Sequence, residues 1–182
     1  MGGRARRRHD EAAAGPLIRT ERLLLRRARP EDVDAFHAIM RDPRAMRYWS
    51  TPPHATLEET RGWITSMIEA SPAESDDYVI ELDGQAIGKA GCWRLPEIGY
   101  ILHPDHWGKG YAREAMAAVI AHLFATRDLD RITADVDPRN TASIGLLHRL
   151  GFTETHRAKG TWQVGEELCD SVYFALPRPE RE

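Results

Sequence analysis

The order of secondary-structure signals along the chain predicts a mixed α/β fold. Strand-like and helix-like stretches follow one another in the order β, α, α, β, β, β, α, β, α, β, β. The front half is rich in hairpin signals, and Asp83-Gly84 is typical of a two-residue turn between antiparallel strands. The back half alternates strands with helices, as βαβ units do. These observations together predict an α/β domain with both hairpins and crossover helices.

The front half predicts one strand, two helices and an irregular stretch. Leu17 to Arg26 has the apolar content of a strand. Pro30 suits the first position of a helix, and the acidic residues after it suit the first turn. Residues 45–53 carry aromatic side chains without a period and are interpreted as irregular. Thr56 and Glu59 fit a capping box, which predicts a second helix from residue 57.

From residue 78 onward the sequence predicts six further strands and two further helices. Gly151 follows the last helix in the place of a C-terminal cap. The stripe of apolar residues after residue 112 recurs every three or four positions, which predicts a long amphipathic helix. In order, the elements are strands 78–82, 86–93 and 98–102, a helix from 112, a strand 131–136, a helix 141–150, a strand from 152 and a strand 169–176.

Composition places the chain among ordinary globular proteins. It has 182 residues, of which 42% are hydrophobic and 29% charged. The net charge of −3 gives no global basic field, so we expect no nucleic-acid partner. Cys92 and Cys169 suggest neither a metal site nor a disulfide framework, which favours a reducing cytoplasm. No apolar run reaches the ~18 residues that a membrane span needs, so we expect no membrane association.

We expect a single domain over residues 16–177, between two tails. Residues 1–15 contain four arginines and then an Ala-rich piece, which is typical of a disordered tail. An alternative is an electrostatic arm for an acidic partner such as RNA. Residues 178–182 form the predicted C-terminal tail.

One stretch carries most of the predicted chemistry. The strand 98–102 is followed by a turn that contains Gly108 and Gly110, and then by the start of a helix. The free N–H groups at a helix start, together with the helix dipole, favour a negative charge. We therefore infer a phosphate or pyrophosphate site at this turn.

The residues of the turn exclude two common phosphate-binding motifs. A P-loop needs a glycine at position 103 and Ser or Thr after Gly-Lys, and the chain has His103 and Gly110 there. A dinucleotide fingerprint needs Gly or Ala three positions after its second glycine, and that position is Arg113. The turn therefore belongs to neither of these two phosphate-binding motifs.

Two signatures in the chain resemble those of the GNAT superfamily of N-acetyltransferases. Residues 107–112 read W-G-K-G-Y-A and resemble its first motif, (R/Q)-x-x-G-x-(G/A), with Trp107 in place of Arg or Gln, as is usual in the RimJ/RimL-like branch. Residues 140–152 read N-T-A-S-I-G-L-L-H-R-L-G-F and match every anchor of its second motif, N-x-x-(A/S)-x-x-L-(Y/L)-x-(K/R)-x-G-F. The order and spacing of the two motifs also match.

The resemblance implies the GNAT fold, a central mixed and mostly antiparallel sheet of about six or seven strands flanked by about four helices. It implies acetyl-CoA as cofactor and direct transfer of its acetyl group to a primary amine in a ternary complex. The alternative is a non-catalytic acyl-CoA-binding module of the same fold. In such proteins the strand before the turn and the next strand splay apart to admit the pantetheine arm. The expected cofactor-binding residues are Tyr100, Ile101, Leu102, Trp107, Gly108, Lys109, Gly110, Tyr111, Ala112 and Asn140.

Catalysis needs a base for the amine and a proton donor for the departing thiolate. Glu97, at the head of the strand before the turn, is the first candidate for the base, and Asp135 is the second. His103 and His106 have suitable pKa values but lie where the family varies. Many family members use a Tyr as the donor, but that position is Leu147 here. The resemblance therefore points to Ser143, although a serine in a first helical turn also occurs for structural reasons.

The acceptor site is expected around residues 45–53 and a loop at residues 159–165. Tyr48, Trp49, Trp93 and Trp162 could line it, and each could equally be packed in the core. The RimJ/RimL-like branch acetylates protein N-termini or small amines, and the sequence leaves both open. A homodimer is among the assemblies that we consider, and no metal site is predicted.

Overall fold

The structure is a computed structural model that describes residues 17–180. The arginine-rich segment 1–15 therefore lies outside the described residues. The strands are β1 (Ile18–Arg19), β2 (Leu24–Arg26), β3 (Asp76–Leu82), β4 (Gln85–Arg94), β5 (Glu97–Leu102), β6 (Arg131–Val136), β7 (Thr153–Val164) and β8 (Glu167–Pro177). The helices are α1 (Val33–Met40), α2 (Pro43–Met46), α3 (Leu57–Glu69), α4 (Tyr111–Thr126) and α5 (Thr141–Arg149).

All the strands of residues 17–180 belong to one sheet, in the order β1-β2-β3-β4-β5-β6-β8-β7. Every neighbouring pair is antiparallel except β5 and β6, which are parallel. The mixed α/β class and the mostly antiparallel sheet are therefore confirmed. Within the described residues there are eight strands and five α-helices, one more of each than expected.

The extra strand comes from the amino-terminal stretch, where the prediction of one strand over residues 17–26 is wrong. Thr20 closes a turn by accepting a hydrogen bond from the Leu23 amide at its Oγ1 (2.9 Å) and donating its own amide to the Leu23 carbonyl (3.0 Å). The two halves then pair as a hairpin, with Ile18 opposite Leu25. The apolar run concealed this turn because it contains neither Gly nor Pro.

Two further predictions in loop regions need correction. Residues 159–165 were expected to form a loop, but β7 continues to Val164 and only Gly165 and Glu166 form the turn into β8. The strand tolerates Gly160 because its register with β8 shifts between Ala158 and Trp162. The stretch 45–53, expected to be irregular, begins inside the short helix α2.

Several local signals are confirmed. Thr56 and Glu59 form the capping box of α3, with both reciprocal hydrogen bonds present. Asp83 and Gly84 form the turn between β3 and β4, with φ of 50° and 81°. Gly151 follows α5 and donates its amide to the His148 carbonyl.

The sheet is covered on both faces, which gives each face its own core. The main core packs the apolar face of α4, with Met116, Val119 and Leu123, against one side of the sheet. The second core packs α1 and α3 against the other side, through residues such as Phe36 and Ile64. Alternate residues of a strand point to opposite faces, so β5 contributes to both cores.

A buried ion pair supports the second face. Lys89 of β4 and Asp77 of β3 are almost fully buried, and Nζ lies 2.7 Å from one carboxylate oxygen. The other oxygen, Asp77 Oδ1, is buried without a hydrogen-bond partner. Trp49 packs in the second core, with its ring centroid 5.7 Å from Lys89 Nζ. The two opposite charges compensate each other inside the protein, so removal of one side chain would leave the other as an unpaired buried charge.

Candidate active site

A V-shaped gap opens in the sheet between β5 and β6. The two strands pair only at Glu97 and Thr133, where the Thr133 amide donates to the Pro96 carbonyl (3.0 Å). From this vertex they diverge toward the carboxyl ends of β5 and β6. The expected splay of these strands is therefore present, and the gap exposes backbone groups of residues 98–102 that have no partner on β6.

The turn at the open end of the gap presents helix amides. Gly108 and Gly110 have φ of 71° and 82°, a conformation that favours glycine. Helix α4 begins directly after them at Tyr111. The residue in the N-cap position, Gly110, has no side chain that could cap the helix. The first N–H groups of α4 are thus left for an external acceptor, where the helix dipole also favours an anion. This geometry fits a pyrophosphate group.

Two side chains of the turn hold it in shape. Trp107 donates its indole Nε1–H to the Leu102 carbonyl (3.1 Å), which ties the turn to the end of β5. Lys109 donates from Nζ to the Asp105 carbonyl (2.8 Å). Both residues were predicted to bind the cofactor. In this structure their side chains order the turn.

Tyr100 and Ser143 flank the gap on opposite sides. The pairing of Glu97 with Thr133 places Tyr100 of β5 level with Val136 of β6, and α5 starts just beyond β6. Burial raises the pKa of the Tyr100 phenol, while the nearby Ser143 hydroxyl and Arg149 guanidinium oppose the rise. Both hydroxyls therefore stay protonated near neutral pH and could donate a proton into the gap.

Asn140 and Leu147 have structural roles in α5. The Asn140 side chain caps the helix by accepting a hydrogen bond from the Ser143 amide (3.2 Å). Leu147 is 1% exposed and belongs to the main core, so this position contributes only packing. Where the resemblance to the family implies a tyrosine, this chain has a leucine buried in the main core.

Glu97 stands at the vertex of the gap and on the opposite face from Tyr100. Three positions separate the two residues along β5, so their side chains leave the sheet on different sides. Burial raises the pKa of the Glu97 carboxyl, and the Asp135 carboxylate raises it further, while Trp93 and Arg94 oppose the rise. A carboxylate with a raised pKa is a better proton acceptor than an ordinary surface glutamate.

A cavity of about 340 Å³ adjoins Glu97 on this face. It lies over β6 and β8, beside the vertex, where an acceptor could approach the gap. Its walls include ionisable, hydroxyl and aromatic groups, and the His156 ring stacks on Tyr173 at 4.3 Å. The lining residues are Glu97, Arg131, Thr133, Ala134, Thr155, His156, Tyr173, Phe174 and Ala175. Sequence reasoning missed all of them except Glu97, because they carry no motif and meet only through strand pairing.

The four aromatic residues predicted to bind the acceptor occupy different places. Trp162 is 43% exposed and donates its indole N–H to Asp135 Oδ2 (2.8 Å), which orients that carboxylate near Glu97. Trp93 is 55% exposed, close to Glu97 and beside Arg94.

Trp49 packs in the second core. The centre of the Tyr48 ring lies 5.8 Å from the guanidinium carbon of Arg139, which belongs to the loop between β6 and α5. None of the four lines the 340 Å³ cavity.

His103 and His106 lie at the opposite end of β5 from Glu97. His103 lies six positions after Glu97, which corresponds to about 20 Å of extended chain. Burial lowers the pKa of His106, with help from Lys109, so this imidazole is neutral near pH 7. Their place beside the phosphate turn argues against a role as the base at the vertex.

One residue beside the phosphate turn was also missed. Arg22, in the turn between β1 and β2, donates to the Lys109 carbonyl from Nη1 (2.9 Å) and to Glu114 Oε2 from Nε (2.7 Å). Its guanidinium also lies 4.5 Å from the centre of the Tyr111 ring. More than 80 residues separate these partners in sequence, so no local signal reports the contact.

A comparison with protein families identifies the family of this chain. Residues 22–153 match the model of the acetyltransferase (GNAT) domain. The chain belongs to the GNAT acetyltransferase family. It is 32% identical over 170 residues to the uncharacterized N-acetyltransferase p20 of Bacillus licheniformis, covering 88% of this chain and 96% of the relative. It is 28% identical over 138 residues to the spermidine N(1)-acetyltransferase of Escherichia coli K12, covering 71% of this chain and 72% of the relative.

The GNAT fold is likewise confirmed by solved structures. The structure of RimL, the ribosomal L7/L12 α-N-protein acetyltransferase in complex with coenzyme A, superposes with a TM-score of 0.79. The two proteins share 22% identity, and the match covers 89% of this chain and 98% of RimL. The turn before α4 has the free helix amides that a pyrophosphate group such as that of coenzyme A needs. Among residues 17–180, no helix combines the length and apolar character needed to cross a membrane.

Proposed function

We propose that this GNAT domain transfers the acetyl group of acetyl-CoA to a primary amine by direct attack in a ternary complex. The observation that carries the proposal is the placement of Glu97 and Ser143 at one gap but on opposite faces of the sheet. A base faces the acceptor cavity, and hydroxyl donors face the other side of the sheet. A thioester in the gap could be attacked from one face and release its sulfur toward the other.

Glu97 accepts the proton of the attacking amine, directly or through a water molecule. Its raised pKa suits this task, because the amine must lose a proton while its nitrogen bonds to the carbonyl carbon. Asp135, oriented by Trp162, keeps the Glu97 carboxyl basic through repulsion.

The gap edge of β5 stabilises the negative charge that develops on the carbonyl oxygen. Backbone N–H groups of residues 98–102 that face the gap have no partner on β6 and could donate to this oxygen. One such donor contributes about 3 kcal/mol in enzymes of this kind. Holding both reactants in the gap contributes more, up to about 7–11 kcal/mol.

Ser143 donates a proton to the thiolate as the carbon–sulfur bond breaks. The Ser143 amide is fixed by Asn140, so the hydroxyl is held at the start of α5, next to the gap. Tyr100 stands close to Ser143 and can return a proton to it. This arrangement replaces the donor that Leu147 cannot supply.

The acceptor is proposed at the level of a primary amine, either a protein N-terminus or a small molecule. One relative is named for spermidine and another for the ribosomal protein uS5, so both classes occur among proteins similar to this chain. The cavity of about 340 Å³ beside Glu97 is the proposed place for the amine end of either kind of acceptor.

Thiol release tests the proposal with a panel of amines that includes spermidine and short peptides with free N-termini. Initial rates measured against both substrates should give intersecting lines, as a ternary complex requires. Parallel lines would indicate a covalent acetyl-enzyme and refute direct attack. Tight coenzyme A binding without turnover on any amine would support the non-catalytic acyl-CoA-binding module instead.

A further inference from the structure

Arg22 lies where the amino-terminal hairpin touches the cofactor turn. Its Nη1 holds the Lys109 carbonyl at 2.9 Å, and a side chain at Gly110 would place Cβ 3.3 Å from its Nη2. The ring of Tyr111 lies 4.5 Å from the guanidinium carbon. A single side chain therefore contacts Lys109 and Tyr111 and lies close to Gly110 between them, in the segment proposed to present amides to the pyrophosphate.

The same guanidinium neutralises a carboxylate in the first turn of α4. Glu114 Oε2 lies 2.7 Å from both Nε and Nη2 of Arg22. Its other oxygen accepts from the Arg22 amide (2.8 Å) and from the Thr20 hydroxyl (2.5 Å). Both oxygens of Glu114 are thus turned toward the β1–β2 hairpin.

This pairing matters because a helix N-terminus attracts any nearby negative charge. A free Glu114 carboxylate would repel an incoming phosphate and could compete for the same N–H groups. The Arg22 guanidinium has five N–H donors in a rigid fork, so it can hold Glu114 and the Lys109 carbonyl at once. Its side chain remains 42% exposed and keeps its positive charge beside the turn.

We propose that Arg22 is a positioning residue for the cofactor. It fixes the Lys109 carbonyl so that the neighbouring amides face outward, and it keeps Glu114 neutralised and away from the pyrophosphate. The inference rests on acetyl-CoA as the ligand of the turn and is independent of which amine is acetylated. It also explains why the hairpin β1–β2 packs against the start of α4.

Isothermal titration of coenzyme A and of 3′-dephospho-CoA into the wild type and its variants tests the proposal. Arg22→Gln should weaken both ligands by about 10- to 100-fold and by the same factor, because both contain the pyrophosphate. Arg22→Lys keeps the charge without the fork and should retain part of the affinity. Adding Glu114→Gln to Arg22→Gln should recover part of the loss, because it removes the uncompensated carboxylate.

The control is Arg61→Gln, which removes a surface arginine that pairs with Glu58 at 3.2 Å on α3. It makes the same change of charge and should leave both affinities unchanged. Unchanged affinity in Arg22→Gln would overturn the proposal, even with a lower melting temperature. A loss confined to coenzyme A would also overturn it, since it would place Arg22 on the 3′-phosphate.

Folding and catalysis can each be separated from this outcome. If Arg22→Gln fails to fold, Arg22→Lys decides, and full affinity in that variant refutes a need for the fork geometry. Titrations report binding alone, so an absence of turnover on amines would refute the proposed function and leave this inference standing.

Discussion

Replacing Glu97 with glutamine removes the proposed base without changing the shape of its side chain. Glu97 makes no ion pair among the described residues, and burial and Asp135 already disfavour its charged form. A carboxyl group whose pKa is raised on folding binds its proton more tightly in the folded state, so its charged form costs stability above that pKa. Glu97→Gln should therefore be as stable as the wild type at neutral pH, or more stable.

The effect on catalysis should be large. A positioned general base contributes ~10²- to 10⁴-fold, which corresponds to about 3–5 kcal/mol in the activation barrier. We expect kcat with saturating amine to fall by a factor in this range. Affinity for coenzyme A should stay within about twofold, since the phosphate turn lies at the far end of β5. Thiol release and calorimetry measure the two quantities separately.

The pH dependence of kcat/KM gives a second test of Glu97 as the base. With an acceptor amine of low pKa, kcat/KM for that amine should rise with pH as Glu97 loses its proton. This limb should lie above the usual titration range of a glutamate, because burial and Asp135 raise the pKa. Asp135→Asn removes the second cause, so the limb should move to lower pH. A Glu97→Gln variant within about threefold of wild-type kcat, with the same pH profile, would refute Glu97 as the base.

Three other changes test the rest of the site and its support. Ser143→Ala should lower kcat with little change in KM for acetyl-CoA, and an unchanged kcat would assign the proton to another donor. Gly110→Glu should abolish coenzyme A binding in titration, because it puts an anion and about 1–2 kcal/mol of backbone strain at φ 82°, and retained affinity would mean that the site is misplaced. Lys89→Met should lower the free energy of unfolding in urea by about 3–5 kcal/mol, since it leaves Asp77 buried and unpaired, whereas a loss under 1 kcal/mol would show that water reaches this pair.

The phosphate turn illustrates what local sequence could predict. Gly108 and Gly110 form the predicted turn with positive φ, and α4 starts directly after them. The capping box at Thr56 also formed as expected. These features depend on the conformation of a few neighbouring residues and on hydrogen bonds among them, so the local amino-acid sequence is enough to specify them.

The first hairpin and the long β7–β8 pair show where local reading failed. Residues 17–26 look like one strand because the turn at Thr20 is closed by a side chain and not by Gly or Pro. Residues 159–165 look like a loop because they contain two glycines, yet pairing with β8 extends the strand through them. In the first case a local side-chain hydrogen bond decided the conformation, and in the second case the pairing with β8 decided it.

The fold class and the family could be inferred from the amino-acid sequence, because its periodic patterns and two short motifs specify local backbone shapes. The assembly of the rest of the candidate site depends on tertiary contacts. The single pairing of Glu97 with Thr133 opens the gap, and the same register brings Glu97 near Asp135. Arg22 meets Glu114 across 92 positions of the chain. Such encounters depend on strand register and on the packing of both faces of the sheet, and these follow from the whole chain.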